Sequence, residues 1–233
     1  MGKMILDDLR KRLERLDEDA DLMIDNNDRY QMVIIGGSAF ILLGKLTRAT
    51  HDIDALSVPK ELYGLLGKYD INTDVEAYID NFPYNFPYNF QDRLQPLPFG
   101  GAKVQFYTPS LEDLVIAKLC SFRDTDKADV ESEAVRNSLD WDLLEHLATD
   151  EDELRASILN DWQYRDFYIR YQAYRRVLEL QQKKKLTNYR LYTDLKLNPG
   201  NVNAWLKHND SSKMSLDCAR QIYKYAKSYP SVR

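Results

Sequence analysis

Apolar residues recur at helical spacing near the start of the chain, with charged residues between them. From residue 4 to about 25 this pattern rests on four leucines: Leu6, Leu9, Leu13 and Leu16. A spacing of three or four residues places them on one face, so the pattern predicts an amphipathic helix that packs on the elements after it. Shorter helices are predicted over Ala39–Lys45 and Lys60–Lys68.

Strand patterns alternate with these helices. Gln31–Ile35 is an apolar run that ends at two glycines, which predicts a buried strand closed by a tight turn. Residues 52–57 alternate with period two, so a strand here would turn Asp52 and Asp54 to one side. Lys103–Tyr107 predicts a third strand.

The second half of the chain has helical patterns. Ser110 has Asp113 three positions later, which is typical of a capped helix start. Residues 124–182 are mostly helical by period. Three more helices are predicted in the tail: Asn188–Lys196, Gly200–Lys207 and Ser215–Tyr225.

This order of elements predicts an α+β fold. A small mixed β-sheet is expected to be flanked by helices and followed by an all-helical C-terminal region. With 233 residues, 44% of them hydrophobic, the chain is long and apolar enough for a real core. The predicted division is a domain over 1–135, a helical connector over 136–182 and a small domain over 183–233.

Charge is divided unevenly along the chain. Residues 183–233 hold eleven basic and three acidic side chains, a net of +8, whereas the remaining residues carry −13, which gives the total of −5. A basic module attached to an acidic one favours a polyanionic partner for the tail. The alternative is a solvated basic face with no partner.

Targeting and redox features are few. Cys120 and Cys218 lie far apart and have no metal-ligand spacing, and the charged N-terminal segment does not resemble a signal peptide. No apolar run is long enough to span a membrane. The expected compartment is therefore the cytoplasm, with reduced thiols and no membrane partner.

The segment with the clearest chemistry is residues 33–56, VIIGGSAFILLGKLTRATHDIDAL. Two carboxylates on one side of a strand, Asp52 and Asp54, repel each other unless they share a cation. Oxygen ligands of this kind suit Mg²⁺, or Mn²⁺ in its place. A Gly-Gly-Ser turn offers backbone N–H groups, and Ser38 adds a hydroxyl for phosphate.

Each element of that segment has a simpler reading when it is taken alone. A single D-x-D is usually a solvated pair at a strand end, and a single G-G-S is usually only a turn. Their order is more specific, because a strand, the glycine turn, a helix and then R-x-T-x-D-x-D, which begins at Arg48, follow one another. The conjunction favours a site for metal-assisted phosphoryl or nucleotidyl transfer.

These residues resemble motif I of the polymerase-β-type nucleotidyltransferase superfamily. Residues 110–130, SLEDLVIAKLCSFRDTDKADV, resemble the S-x-E-D-L-x-x-x-K-L…R-x-x-D-x-x-D segment of its minimal branch. That branch includes toxin-type enzymes of toxin–antitoxin and abortive-infection systems and many uncharacterised bacterial relatives. The resemblance extends over about residues 30–135.

The resemblance implies a set of site residues. Asp52 and Asp54 would hold the metal, and Lys118 and Asp129 would complete the catalytic residues. The nucleotide would be held by Gly36, Gly37, Ser38, Thr50 and Arg123. A snorkelling surface position is the alternative for Lys118.

One feature departs from the superfamily pattern. Full polymerase-β enzymes carry a third carboxylate on a later strand, and KVQFY at residues 103–107 has none. The third metal ligand is therefore expected to be Asp74, with Glu76 as the alternative, or to be absent.

The tail resembles a helix-turn-helix of the phage-repressor type over about forty residues. Thr187 and Asn198 are expected to cap its first two helices, with Pro199 at the first position of the second. The second helix would turn Val202, Trp205 and Leu206 inward. The residues expected to contact nucleic acid are Arg190, Asn201, Asn203 and Lys207.

Two hypotheses from different classes follow. The first is a Mg²⁺-dependent nucleotidyltransferase that moves a nucleotide from an NTP to a hydroxyl or phosphate acceptor on tRNA or protein. The second is a DNA-binding regulator with a degenerate, ligand-sensing transferase domain. Expected partners are a nucleotide and DNA or tRNA, with an antitoxin or a second copy of the chain as further candidates.

Overall fold

The structure is a computed structural model that describes residues 3–73, 86–87, 89–120, 123–149 and 162–230. The chain folds into two compact units. The first contains residues 1–118 and 140–158, and the second contains residues 119–139 and 159–233.

Strands and helices alternate in the first part of the chain, and the described residues after Thr108 form helices and no further strand. The strands β1 to β5 are Tyr30–Ile35, Ile53–Leu56, Ile71–Thr73, Gln95–Gly100 and Val104–Thr108. The helices α1 to α11 are Leu6–Met23, Gly36–Leu42, Tyr63–Leu66, Leu111–Leu119, Asp124–Val130, Glu133–Arg136, Trp141–Thr149, Trp162–Lys184, Asn188–Asp194, Pro199–His208 and Leu216–Ser228. Short 3₁₀ turns cover Lys60–Leu62, Gly67–Tyr69 and Phe90–Arg93.

The five strands form one mixed sheet in the order β3-β2-β1-β5-β4. Strand β1 runs antiparallel to β2 and parallel to β5, and β2 runs parallel to β3. The register pairs Asp54 with Ile35 on one side and with Asn72 on the other. The predicted α+β fold is therefore confirmed, including the all-helical C-terminal region.

Helix α1 is amphipathic as predicted, but its buried face is shifted by a turn. Leu9, Leu13, Leu16 and Ala20 are buried, whereas Leu6 is 44% exposed. The prediction for Leu6 was wrong because it is the first residue of the helix, where the chain is only entering the packed layer.

Several boundaries also differ from the sequence pattern. Helix α2 begins at Gly36 and ends at Leu42, and α9 ends at Asp194. Strand β4 was missed because its sequence, QPLPFG, contains two prolines that cannot donate to a ladder; β4 lies at the edge of the sheet, where that is tolerated. Strand β3 was missed because three residues give no readable period.

A buried carboxylate fastens α1 to the turn between β4 and β5. Asp17 is 5% exposed, and its carboxylate accepts hydrogen bonds from three successive backbone N–H groups. The N···O distances are 3.1 Å from Ala102, 2.7 Å from Lys103 and 2.6 Å from Val104. Bonds to an ionised acceptor are the stronger kind, so this contact fixes how α1 lies on the sheet.

The second unit has its own apolar core. Ala173 and Val177 of α8 share this core with residues of the tail helices, among which Val202, Trp205 and Leu206 are buried as predicted. Thr187 and Asn198 cap α9 and α10 as predicted, by accepting from the backbone N–H groups of Arg190 and Asn201.

Lys184 closes the C-terminal end of α11. It is buried, and its Nζ donates to the carbonyl oxygens of Ala226, Lys227 and Tyr229 at 3.1, 2.7 and 2.5 Å. The last carbonyls of a helix have no partner within the helix, so an ammonium group at this position satisfies them.

Glu131 is the charged centre of the second unit. Its carboxylate accepts from Arg136 Nη1 at 3.2 Å and also pairs with Arg170 and Ser211. All four side chains are buried, and burial lowers the pKa of Arg136 to about 10. Two buried guanidinium groups share this one carboxylate. Removing the carboxylate would leave both of their charges without a partner, which would lower the stability of the unit strongly.

No helix within the described residues combines the length and the apolar character needed to cross a bilayer.

We expect Asp17→Ala to destabilise the first unit by about 3 kcal/mol, because three backbone N–H groups lose an ionised acceptor. Asp21→Ala is the matched control, since Asp21 is an exposed aspartate on the same helix and should change stability by less than about 0.5 kcal/mol. Urea unfolding followed by circular dichroism measures both variants. Equal midpoints for the two variants would show that Asp17 does not anchor the turn.

Candidate active site

The site begins where β1 ends. The buried residues of β1 lead directly into Gly36, which has a φ of +64° and is the first residue of α2. A Cβ placed on Gly36 would lie 2.6 Å from Oδ2 of Asp54. Both the backbone conformation and this close approach require glycine, so the turn brings the main chain directly against the Asp54 carboxylate.

Asp52 and Asp54 face the same point, as the period of two predicted. The Nδ2 atom of Asn72 lies 3.2 Å from Oδ2 of Asp52 and 3.2 Å from Oδ1 of Asp54. One amide therefore bridges the two carboxylates. Its two N–H groups offset part of the repulsion between like charges two residues apart at the start of β2.

Asn72 is a site residue that the sequence reasoning missed. It is exposed and sits opposite Asp54 on the parallel strand β3. Its neighbour Thr73 is buried, so the two alternate across the strand. Asp74 and Glu76, the predicted third ligands, lie outside the described residues.

Arg48 is the second residue that acquired no role from the sequence. It is exposed, and a Cβ placed on Gly37 would lie 2.9 Å from its Nη2 atom. The guanidinium group therefore lies over the glycine turn, one residue from the contact between Gly36 and Asp54. A cation at this position suits a phosphate group.

Ser38 and Thr50 are engaged in bonds within the first unit. The buried Ser38 hydroxyl donates to the carbonyl oxygen of Ile35 at 2.8 Å, so it would have to break this bond to donate to a phosphate. The Thr50 hydroxyl donates to the carbonyl oxygen of Asp52 at 3.3 Å. The backbone of Thr50 also pairs with Met4 in both directions, which anchors the chain before β2.

Lys118 is held against α2. Only 7% of it is exposed, and its Nζ lies 5.4 Å from the centre of the Phe40 ring. Helix α4 thus brings a buried cation onto the helix that begins at the glycine turn, which disfavours the snorkelling alternative.

The acidic residues near Lys118 in sequence have structural partners. The Asp113 carboxylate accepts from the Ser110 hydroxyl at 2.7 Å, and that hydroxyl accepts from the backbone N–H of Asp113 at 3.1 Å. Asp113 also accepts two bonds of 3.0 and 2.8 Å from Arg93. Glu112 accepts from the backbone N–H of Asp140 at 2.8 Å, and burial raises the pKa of Glu112. This part of the 110–130 pattern therefore secures α4.

Arg123 and Asp129 belong to the second unit. Arg123 precedes α5 and pairs with Asp126 at 2.7 Å, and Asp129 is buried in α5. The resemblance places both residues in the nucleotide or catalytic site, which remains a prediction.

The tail residues predicted to contact nucleic acid differ in their exposure and in their existing partners. Lys207 is exposed, whereas Asn203 is half-buried and its Oδ1 accepts from Asn188 Nδ2 at 3.1 Å. Arg190 pairs with Asp194 at 3.2 Å, and that carboxylate raises the pKa of Arg190. Asn201 is half-buried at the start of α10.

The donor set around Asp52 fits a small, hard cation. Within the described residues no three His, Cys, Asp or Glu side chains converge. Two carboxylates and one amide do converge, and the amide oxygen of Asn72 can replace its nitrogen by rotation of the side chain. Oxygen ligands in this number leave positions for water and phosphate, as Mg²⁺ prefers.

No curated protein and no solved structure is significantly similar to the chain. A family model described as a nucleotidyltransferase of unknown function (DUF6036) matches residues 11–179. The match covers the glycine turn, Asp52, Asp54, Asn72 and Lys118, and residues 180–233 lie beyond it. Since the model spans well over half of the sequence, the chain belongs to this family of nucleotidyltransferases of unknown function.

Proposed function

We propose that the chain catalyses Mg²⁺-dependent transfer of a nucleotide from an NTP to a hydroxyl or phosphate acceptor. The observation that carries this proposal is the convergence of Asp52 and Asp54 on one point beside the glycine turn. Membership of a nucleotidyltransferase family supports it at the level of reaction class.

In this proposal the two aspartates hold the cation, either Mg²⁺ or Mn²⁺. When bound, the cation neutralises charge that develops on the transferred phosphate and lowers the pKa of the attacking oxygen. Gly36 and Gly37 let the phosphates approach the backbone closely. Arg48, over the glycine turn, and Lys118, over the Phe40 ring of α2, supply positive charge.

Asn72 contributes the third protein ligand through its amide oxygen in this scheme. The superfamily pattern has a carboxylate in that role, so the present site carries two negative charges where the pattern has three. Fewer charges give weaker cation binding, because each carboxylate adds Coulombic attraction. Asp74 and Glu76 are the alternatives that the sequence offers.

The second candidate function is that of a transcriptional regulator, in which the tail binds DNA. The short capped helices α9 and α10 and the net charge of +8 over residues 183–233 favour it. In this version the first unit senses a nucleotide without turnover. A version that joins the two uses the tail to bring the enzyme to a nucleic-acid acceptor such as tRNA.

The first test replaces both aspartates. We expect Asp52→Asn with Asp54→Asn to reduce transfer of labelled nucleotide by at least about a thousandfold, because the metal ligands are lost. The same variant should unfold at an equal or higher temperature, since two adjacent like charges have been removed.

Asp21→Asn with Asp25→Asn is the matched control, because both side chains are exposed and away from the site. It should keep full activity. Transfer by the Asp52/Asp54 variant at the rate of this control would rule out the proposed enzyme. Binding of NTP by the original chain without any turnover over a broad acceptor screen would favour the regulator.

The second test concerns Asn72. We expect Asn72→Asp to bind Mn²⁺ at least about tenfold more tightly, because it adds a charge at the shared point, and Asn72→Ala to bind it more weakly. Isothermal titration with Mn²⁺ measures this without any activity assay. Asn27→Asp is the control, since Asn27 is exposed and adds the same charge elsewhere in the first unit.

Three further results would decide the ligand. Equal Mn²⁺ affinity for Asn72→Asp and Asn27→Asp would exclude Asn72 from the metal site. Weaker binding by Asp74→Asn or Glu76→Gln would identify that residue as the third ligand instead.

The third test concerns the tail. We expect Lys207→Gln to weaken binding to mixed-sequence duplex DNA and to lower the slope of log K against log salt by about 0.9, the value for one lost phosphate contact. Lys224→Gln, on an exposed position of α11, is the control. If both variants bind like the original chain, or if no duplex is bound at low salt, the tail has no DNA-binding role.

A further inference from the structure

A cleft of about 640 Å³ opens along α1 in the first unit. Its walls come from the N-terminal segment, from α1 and from the 3₁₀ turn before β3. Its lining contains three acidic and five basic side chains. The basic ones are Lys3, Lys11, Arg12, Arg15 and Lys68. We call this feature the α1 cleft.

Two of the five cations are already neutralised. Arg12 pairs with Asp70 and donates to the carbonyl oxygen of Tyr69 at 3.2 Å. Lys68 pairs with Asp19. These contacts hold the wall of the cleft together, so Arg12 and Lys68 are part of its frame.

The other three cations have no such partner. Lys3, Lys11 and Arg15 are exposed, and none forms an ion pair with a side chain in the described ranges. Of the three acids that line the cleft, Glu18 is exposed and lies three residues after Arg15, whereas the other two have partners. Asp8 accepts from the backbone N–H of Ile5 at 3.2 Å, and Asp19 accepts from Tyr69 at 2.5 Å.

Acidic residues flank two of these cations along α1. Lys11 and Arg15 are four residues apart, which places them about 6 Å apart along one face of α1. Like charges at this spacing repel each other by a few tenths of a kcal/mol. Asp7 lies four residues before Lys11 and Glu18 lies three residues after Arg15, and acids at these spacings offset part of the repulsion.

The walls of the α1 cleft are joined through the backbone to the segments that carry the candidate active site. Met4, which lines it, pairs through its backbone with Thr50 at 2.7 and 2.9 Å, and Thr50 is two residues before Asp52. On the opposite wall Tyr69 is three residues before Asn72, and the carbonyl oxygen of Asp70 accepts from the N–H of Ile53 at 3.0 Å. Both walls thus continue into the strands that carry the site.

We infer that the α1 cleft binds the phosphodiester backbone of a nucleic-acid strand that acts as the acceptor of the transferred nucleotide. The assignment as acceptor rests on the proposed function, whereas the binding of a strand does not. Lys3, Lys11 and Arg15 would contact successive phosphates, with Asp52 and Asp54 beyond the end of the row.

The lining of the cleft favours a nucleic acid over an acidic peptide. Peptide grooves hold their ligand mainly through apolar pockets, and the aromatic ring that lines this cleft, Tyr69, is buried and hydrogen-bonded. Exposed cations in a row are the usual contacts for phosphates, which position a strand without reading its sequence. The NTP phosphates have a separate place at the glycine turn in the proposed scheme.

The test measures strand binding by fluorescence polarisation, with the full chain, without NTP and with divalent metal removed. The probes are a labelled uridine-rich RNA and the DNA of matching sequence. We expect Lys3→Gln with Lys11→Gln and Arg15→Gln to lower the slope of log K against log salt by about 2, at about 0.7 for each lost contact to a single strand. Affinity should fall at least tenfold at moderate salt.

The matched control is Arg10→Gln with Arg29→Gln and Lys60→Gln. It removes the same charge from exposed positions of the same unit that do not line the cleft. Its slope and affinity should stay close to those of the original chain. Each comparison is repeated in an Arg190→Gln/Lys207→Gln background, which removes two cations of the tail from the measurement.

Three results would overturn the inference: an equal loss in the two triple variants, no binding of either strand, or displacement of the RNA by polyglutamate as readily as by unlabelled RNA. A difference between the RNA and the DNA probe identifies which strand the cleft prefers. Tighter binding of one probe than of the other supports the inference and shows whether the acceptor strand is RNA or DNA.

A second readout separates this inference from the proposed function. With a strand that accepts nucleotide, the cleft variant should have a higher KM for the strand and an unchanged kcat. The reason is that the lost contacts bind the strand equally well in the ground state and in the transition state. The Asp52/Asp54 variant should bind the strand normally and fail to transfer. If the original chain binds the strand at the cleft but never transfers nucleotide, the proposed function fails and the binding site stands.

Discussion

The first unit depends on the close approach between the backbone at Gly36 and the carboxylate of Asp54. Strand β1, helix α2 and strand β2 all meet at this contact, and a Cβ on Gly36 would force the Asp54 carboxylate to move. The register between Ile35 and Asp54 fixes where along β2 the contact falls. Because the turn needs a left-handed backbone as well as space, only glycine meets both conditions. The position of the acidic pair therefore follows from the end of β1.

Neighbouring polar groups explain why the acidic pair is tolerated, although the described residues contain no third acid at this point. Two carboxylates on one side of a strand repel, and neighbours must lower this cost. The Asn72 amide donates to both, and Arg48 lies over the next residue of the turn. The aspartates thus lie beside donor groups that lower the cost of holding two negative charges together.

Features that depend on local sequence pattern could be predicted from the sequence, whereas features that depend on pairing between distant segments could not. The period of two was enough to place Asp52 and Asp54 together, and the caps at Thr187 and Asn198 follow from side chains next to the helices they begin. Asn72 could not be found, because its role comes from the parallel pairing of β2 with a strand of three residues. Arg48 acquires its place only once α2 has folded. Leu6 fitted the helical period and is exposed, since a period describes a face and does not say where packing begins.

Helix α1 shows how one element can carry a structural and a chemical role on opposite sides. Its buried side is fixed by Leu9, Leu13 and the carboxylate of Asp17, which binds the turn between β4 and β5. Lys11 and Arg15 take no part in that packing, because both are exposed. A rigid helix anchored at Asp17 is also the kind of support that holds binding groups at fixed spacing, so the anchor and the exposed cations are two parts of one arrangement.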